Sequence, residues 1–285
     1  MRRQFLKQLA TVPLALASID RLSASSDRAT PLRLGVTPVF LVQRAQLLER
    51  WRGYLGASIG RPVEFVLRGS YREITTLLLS GRVDAAWICE YPFVRHDDDL
   101  RLLAAPVYQG EPNYRAYLIV PREDHSTEWI EDLSGKLFAF SDPDSLSGYK
   151  LPRYWLRESG RDPDRFFERS ILTWSHRNSI QAVADRLVDG ASVDGYVWDM
   201  LDRISPEITA RTRVVLRSQP FGFPPIVTPT SLSLREADRL REACLAMADD
   251  PDGQEILAAL GLDGFALVES SLYDDVRLIA DVMEA

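Results

Sequence analysis

The chain has 285 residues, with 34 Lys and Arg against 41 Asp and Glu, a formal charge of −7. Hydrophobic residues make up 46% and charged residues 26%, an ordinary globular balance that excludes wholesale disorder and permits a core without disulfides or metals. The acidic balance, without clustered Lys and Arg, excludes a general nucleic-acid binder, and no run reaches the roughly 18 apolar residues of a membrane span.

The N-terminus orders charge, apolar run and small residues: Arg2, Arg3 and Lys7, then Leu9 to Ile19, then Ser23, Ala24, Ser25 and Ser26. That layout predicts an export signal over residues 1–26, the alternative being an ordinary amphipathic helix. The paired arginines before Phe5-Leu6-Lys7 resemble the twin-arginine export motif. Removing the segment takes away four cations and one anion, so the formal charge moves from −7 to −10.

From Leu32 onward, short apolar runs alternate with amphipathic stretches, which predicts an α/β protein. Leu32 to Val36 reads as a strand closed by Thr37-Pro38. Residues 42–59 read as a helix with Leu47, Leu48, Trp51 and Leu55 on one face, and Pro62 to Val66 as the next strand. Arg72 to Leu79 is a helix stopped by Ser80-Gly81. Strands follow at Asp84 to Ile88 and Leu100 to Pro106, then a polar turn and an extended run from Tyr114 to Val120. A second block repeats the pattern, with strands at Leu137 to Phe140, Ile171 to Trp174 and Ser192 to Val197. Its helices are Tyr149 to Ser159 and Asn178 to Asp189. Val214 to Leu216 returns towards the first block, and helices at 234–248 and 252–259 end the pattern. The organisation is therefore bilobal: residues 31–113 and 214–285 form one lobe, and 114–213 are inserted as the second. Two extended segments cross between the lobes, and a cleft lies at the strand ends.

Four loops follow predicted strands at that cleft: Gly69-Ser70-Tyr71, Cys89 to Phe93, the run SDPDSLSGY at 141–149, and Trp174 to Ser179. A serine-rich turn opening a helix offers hydroxyls and free backbone N–H groups, which suits an anion. Ser145, Ser147 and Gly148 fit that pattern, with His176 as a further donor. Plain helix capping is the alternative, and for this turn taken alone the simpler, reading of the same residues. Trp87, Phe93, Trp174, Tyr196, Trp198 and Phe221 are candidates for an aromatic wall or for core.

In that serial order the chain resembles the phosphate/phosphite/phosphonate-binding periplasmic solute receptors. The matching pieces are Thr37-Pro38, residues 70–87, 104–121, 132–152, 176–201 and 214–225. The resemblance implies a type II periplasmic binding protein fold of two α/β lobes that close on a small oxyanion. It implies a monomer without a cofactor, located in the periplasm and working with the membrane permease of an ABC importer or with a sensor kinase. Residue by residue, Tyr71 matches the family's donor tyrosine, and Ser145 and Ser147 match two hydroxyls of its anion turn. His176 matches its histidine, and Asp194 lies where an acidic or amide residue closes the site. Tyr196 and Ser218 are weaker candidates.

Two departures stand out. Leu146 replaces the middle hydroxyl of the turn, and Cys89-Glu90 occupies a loop where the family has glycine-proline-type turns. A desolvated carboxylate there opposes an anion, whereas a thiol suits a soft ligand. Cys89 is accordingly a structural thiol or a contact to an arsenite-like ligand, the latter implying a receptor for a two-component system. Cys89, His176 and Asp194 also contain the residue types of a cysteine-dependent hydrolase or transferase, although no nucleophile motif surrounds them; the expectation is a binding protein, not an enzyme. Cys244 reads as core. His96, His125 and Asp97-Asp98-Asp99 read as solvated surface, and no spacing predicts a metal site.

Overall fold

The computed structural model describes residues 30–37 and 45–284. The predicted export signal, Pro38 and the first residues of the predicted first helix lie outside them.

The first lobe begins with β1 (Leu32–Val36), α1 (Ala45–Ile59), β2 (Val63–Leu67), α2 (Tyr71–Leu79), β3 (Ala85–Trp87), α3 (Glu90–Arg95) and β4 (Leu100–Val107). Its apolar helix face is the one the sequence predicts: Leu47, Leu48, Trp51 and Leu55 of α1 are buried, with Ile59. The start of α2 is fixed by a reciprocal pair of bonds. Ser70 Oγ accepts the Glu73 N–H at 3.3 Å, and Glu73 Oε2 accepts the Ser70 N–H at 3.1 Å. Gly81, at φ +67°, supplies the left-handed turn that ends it.

The chain then crosses through β5 (Asn113–Tyr114) into β6 (Ala116–Pro121), β7 (Leu137–Phe140), α4 (Leu151–Glu158), β8 (Arg169–Leu172), α5 (His176–Ala184), β9 (Gly190–Asp194), α6 (Gly195–Ile204), α7 (Pro206–Thr209) and β10 (Thr212–Arg217). It returns through β11 (Phe221–Gly222) to β12 (Ile226–Pro229), α8 (Leu234–Leu245), α9 (Pro251–Leu260), β13 (Gly264–Ala266) and α10 (Asp274–Glu284). One sheet has the order β13-β4-β12-β3-β1-β2 and the other β10-β6-β9-β7-β8. Strands β2, β1 and β3 are mutually parallel, as are β8, β7 and β9. The two crossings pair antiparallel as β11 with β5, Phe221 opposite Tyr114.

Five expectations need correction. The predicted strand over Ser192 to Val197 ends at Asp194, whose carboxylate accepts the N–H groups of Tyr196 at 2.8 Å and Val197 at 3.3 Å. That cap turns the chain into α6, which the β-prone Tyr196-Val197 pair conceals in the sequence. The loop at Cys89 to Phe93 is instead the start of α3, and α10 is a further helix. The predicted strand at Ile171 to Trp174 sits two residues earlier, leaving Trp174 half-exposed in the left-handed region at φ 62°. Finally, residues 212–217 pair with β6, so the chain stays in the second sheet past position 214.

Candidate functional site

Each sheet offers the carboxyl ends of its parallel strands to the other, the usual place for a ligand in α/β folds. From the first lobe come Thr37 after β1, Tyr71 opening α2, and Trp87 and Cys89 at the end of β3. From the second come Ser147 after β7, His176 opening α5, Asp194 ending β9 and Tyr196 opening α6. With Tyr114, Phe223 and Pro224 from the crossings, these residues line a narrow cavity of about 20 Å³ between the lobes.

The sequence-predicted residues meet here. Ser145 does so from one layer back: its Oγ accepts the Gly148 N–H at 3.0 Å and lies 3.4 Å from His176 Nε2. The capping reading and the site reading therefore both describe Ser145. Leu146 to Lys150 forms a single π-helical turn before α4, a wide turn often found at functional sites. Gly148 is required there, because a Cβ would stand 1.8 Å from Ser141 Oγ and 2.8 Å from His176 Cε1. Ser141 Oγ is buried without a hydrogen-bond partner among the described residues.

His176 is held in one state. Its Nδ1 accepts the Asp194 N–H at 3.1 Å, so the ring proton of the neutral imidazole sits on Nε2. Burial lowers its pKa to about 3. The ring is thus a neutral donor, and it cannot take a proton at Nε2. Cys89 Sγ donates to Glu90 Oε2 at 3.2 Å and accepts the Leu146 N–H at 3.4 Å from the opposite lobe. Burial, then the neighbouring Glu90, push the thiol well above its ordinary range. Cys89 and Cys244 are both free thiols.

Glu90 is buried behind Cys89 and bonded by the Tyr114 hydroxyl. Desolvation raises its carboxyl to about 7. Asp194 is raised well above the carboxylate range by burial and then by Glu90. Among the described residues, neither lysine nor arginine lines the cavity.

Further bonds tie the lobes together. Asp142 Oδ2 accepts the Tyr71 N–H at 3.0 Å, and Arg72 makes a bidentate pair with Asp144 at 3.1 and 3.2 Å. The Tyr196 hydroxyl donates to the Leu260 carbonyl at 2.7 Å. Lys150 Nζ stands 4.3 Å over the Tyr91 ring.

Other candidates fall elsewhere. Ser218 Oγ accepts the Ala116 N–H at 2.9 Å and braces the crossing outside the cavity. Of the six aromatics singled out in the sequence, only Trp87 and Tyr196 line the cavity. Phe93 packs on Tyr273 and Trp198 on Tyr117. Tyr114 and Phe223 line it unforeseen, because their segments become neighbours only when the crossings pair.

Two lobes joined by two paired crossings, with strand ends facing a shared cavity, define the type II periplasmic binding protein class. A family model described as "ABC transporter, phosphonate, periplasmic substrate-binding protein" matches residues 34–273. The chain belongs to that family. It is 24% identical over 272 residues to the phosphonates-binding periplasmic protein of Escherichia coli K12, covering 92% of this chain and 79% of the relative. The binding-protein component of an ABC phosphonate transporter from Pseudomonas aeruginosa superposes with a TM-score of 0.82 at 23% identity, over 89% of this chain and 87% of that one. PhnD1 of Prochlorococcus marinus, solved with methylphosphonate, gives 0.78 at 18%, over 89% and 98%.

Proposed function

We propose that this protein captures a small phosphonate- or phosphate-like oxyanion in the interlobe cavity and presents the closed form to the permease of an ABC importer. The observation that carries this reading is the neutral donor set. His176 is locked as an Nε2–H donor, with Ser147 of the same lobe and Tyr71 of the other lining the same cavity. Such donors replace the water shell of an anion without a counter-ion. Tyr71, Ser147, His176, Asp194 and Cys89 are the proposed contacts, with Ser145 positioning His176. A cavity of about 20 Å³ holds roughly one water, so a tetrahedral anion enters as the lobes part and binds as they close, shifting the open–closed balance. Residues 1–26 deliver the chain to the periplasm in this reading. Lysine at Arg2 and Arg3 should hold precursor in the cytoplasm, and normal export of that variant contradicts the twin-arginine route.

One observation favours a second reading. A thiol on the wall of a cavity that no cation among the described residues lines, with two carboxyls near it, suits a neutral soft ligand such as arsenous acid. That reading makes the protein a sensor for a two-component system. A thermal-shift comparison of phosphate, phosphite, methylphosphonate and arsenite separates the two. The true ligand at about 100 times its Kd adds about 2.7 kcal/mol of stability.

A further inference from the structure

Glu90 is wholly buried and lies one layer behind the cavity wall. Each of its oxygens accepts a hydrogen bond from a group that does line the wall: Oε1 from the Tyr114 hydroxyl, Oε2 from the Cys89 thiol at 3.2 Å. Among the described residues, the titratable groups facing it are Cys89 beside it, Tyr114 of β5, Asp194 ending β9, Tyr71 opening α2 and Tyr273 before α10. All five are acids. Among the described residues no lysine or arginine pairs with Glu90 or Asp194. Arg95, at the far end of α3, is taken by Asp281 and Glu284.

The proton count around Glu90 has a consequence for the wall. A hydroxyl owns one proton, and an ionised carboxylate only accepts. While Glu90 is ionised, Tyr114 turns its proton inward and shows lone pairs to the cavity, a face that opposes an oxyanion. Once Glu90 carries a proton, its own O–H donates to the Tyr114 oxygen, and the phenol proton is free to point at the ligand. Cys89 has the same geometry, but a thiol is the weaker donor.

We propose that Glu90 is a positioning residue that couples oxyanion binding to the uptake of one proton from solvent, by switching Tyr114 from acceptor to donor towards the ligand. The inference rests on the oxyanion reading above. Burial sets the Glu90 carboxyl at about 7, which places the switch in the neutral range. Bound anion holds Glu90 protonated, so affinity is highest below about pH 7 and falls above it, approaching tenfold per pH unit.

The test is calorimetric titration of methylphosphonate from about pH 6 to about pH 9 in buffers of differing ionisation heat, for wild type, Glu90→Gln and Tyr114→Phe. The glutamine amide donates to Tyr114 at every pH, and the phenylalanine has no proton to switch. The ligand's own titration is common to all three and cancels in their ratios. Wild type should take up about one more proton than Glu90→Gln at the alkaline end, with relative affinity falling about tenfold per pH unit. Tyr114→Phe should bind more weakly than Glu90→Gln, with an equally flat ratio. Equal proton counts and parallel pH profiles in wild type and either folded variant overturn the inference while the oxyanion reading stands. No binding of methylphosphonate, phosphate or phosphite by wild type at any pH overturns that reading and the inference together.

Discussion

The Asp194 N–H donates to Nδ1 of His176 at 3.1 Å, and this one bond decides what the histidine can do. It ties the end of β9 to the start of α5 and forces the ring proton to Nε2, beside Ser145. Oδ1 of Asp194 meanwhile accepts the Tyr196 and Val197 N–H groups. Backbone geometry thus makes His176 a fixed neutral donor, with no part for a proton acceptor.

His176 should therefore show the Nε2–H tautomer in ¹⁵N NMR without titrating between about pH 5 and about pH 8. Its pKa is lowered to about 3, below the unfolded value of 6.5, so only the unfolded chain gains a proton between those limits. Its contribution to stability is complete above 6.5 and shrinks as pH falls towards 3. A ring titrating near its ordinary value contradicts the assignment.

Glu90 has the opposite sign. Its carboxyl is raised from 4.5 to about 7, so the native state keeps a proton that the unfolded chain has released. Stability from this group falls as pH rises through that window, by roughly 3 kcal/mol. Denaturant unfolding of Glu90→Gln should therefore gain about that much relative to wild type between about pH 4.5 and about pH 8. A pH-independent difference contradicts a carboxyl raised by burial.

Gly148→Ala is expected to damage the site sterically, since its Cβ would collide with Ser141 Oγ and His176 Cε1. Ligand binding should be lost and stability reduced by about 1–3 kcal/mol, the range for an overpacked core. Wild-type affinity in this variant would show that the turn at Ser145 to Gly148 is looser than its geometry.

Asp142 joins the lobes by accepting the Tyr71 N–H, and it is buried. Removing its carboxylate leaves that N–H without its partner in the closed form, at a cost of about 1–3 kcal/mol. Asp142→Ala should weaken methylphosphonate binding by about tenfold or more and leave the free protein more open in small-angle scattering. Arg72→Ala should do less, because Arg72 is 75% exposed and its pair with Asp144 is screened.

Much of this was legible in the sequence, for local reasons. Ser80-Gly81 announces the end of α2, and the apolar spacing of α1 announces its buried face. Ser145, Ser147 and His176 stand in turns after strands, where chemistry and backbone direction coincide. What stayed hidden depends on long-range pairing. Tyr114 and Phe223 reach the cavity because β5 meets β11, and no local pattern encodes that meeting. Helix α6 was masked by a β-prone stretch that only the Asp194 cap interrupts. Glu90 read as a loop carboxylate able to repel a ligand directly. Burial instead gives it two donors to hold and a pKa within reach of a proton.

The central claim is that neutral donors in the interlobe cavity bind an oxyanion, with Cys89 bridging the lobes through its contact with the Leu146 N–H. Calorimetric titration of wild type and Cys89→Ser with methylphosphonate and with arsenous acid tests it most directly. A serine oxygen can still accept the Leu146 N–H, so both proteins should bind methylphosphonate with affinities within about tenfold, about 1.4 kcal/mol, and neither should respond to arsenous acid. Binding of arsenous acid alone by wild type, abolished in the serine variant, would contradict the claim.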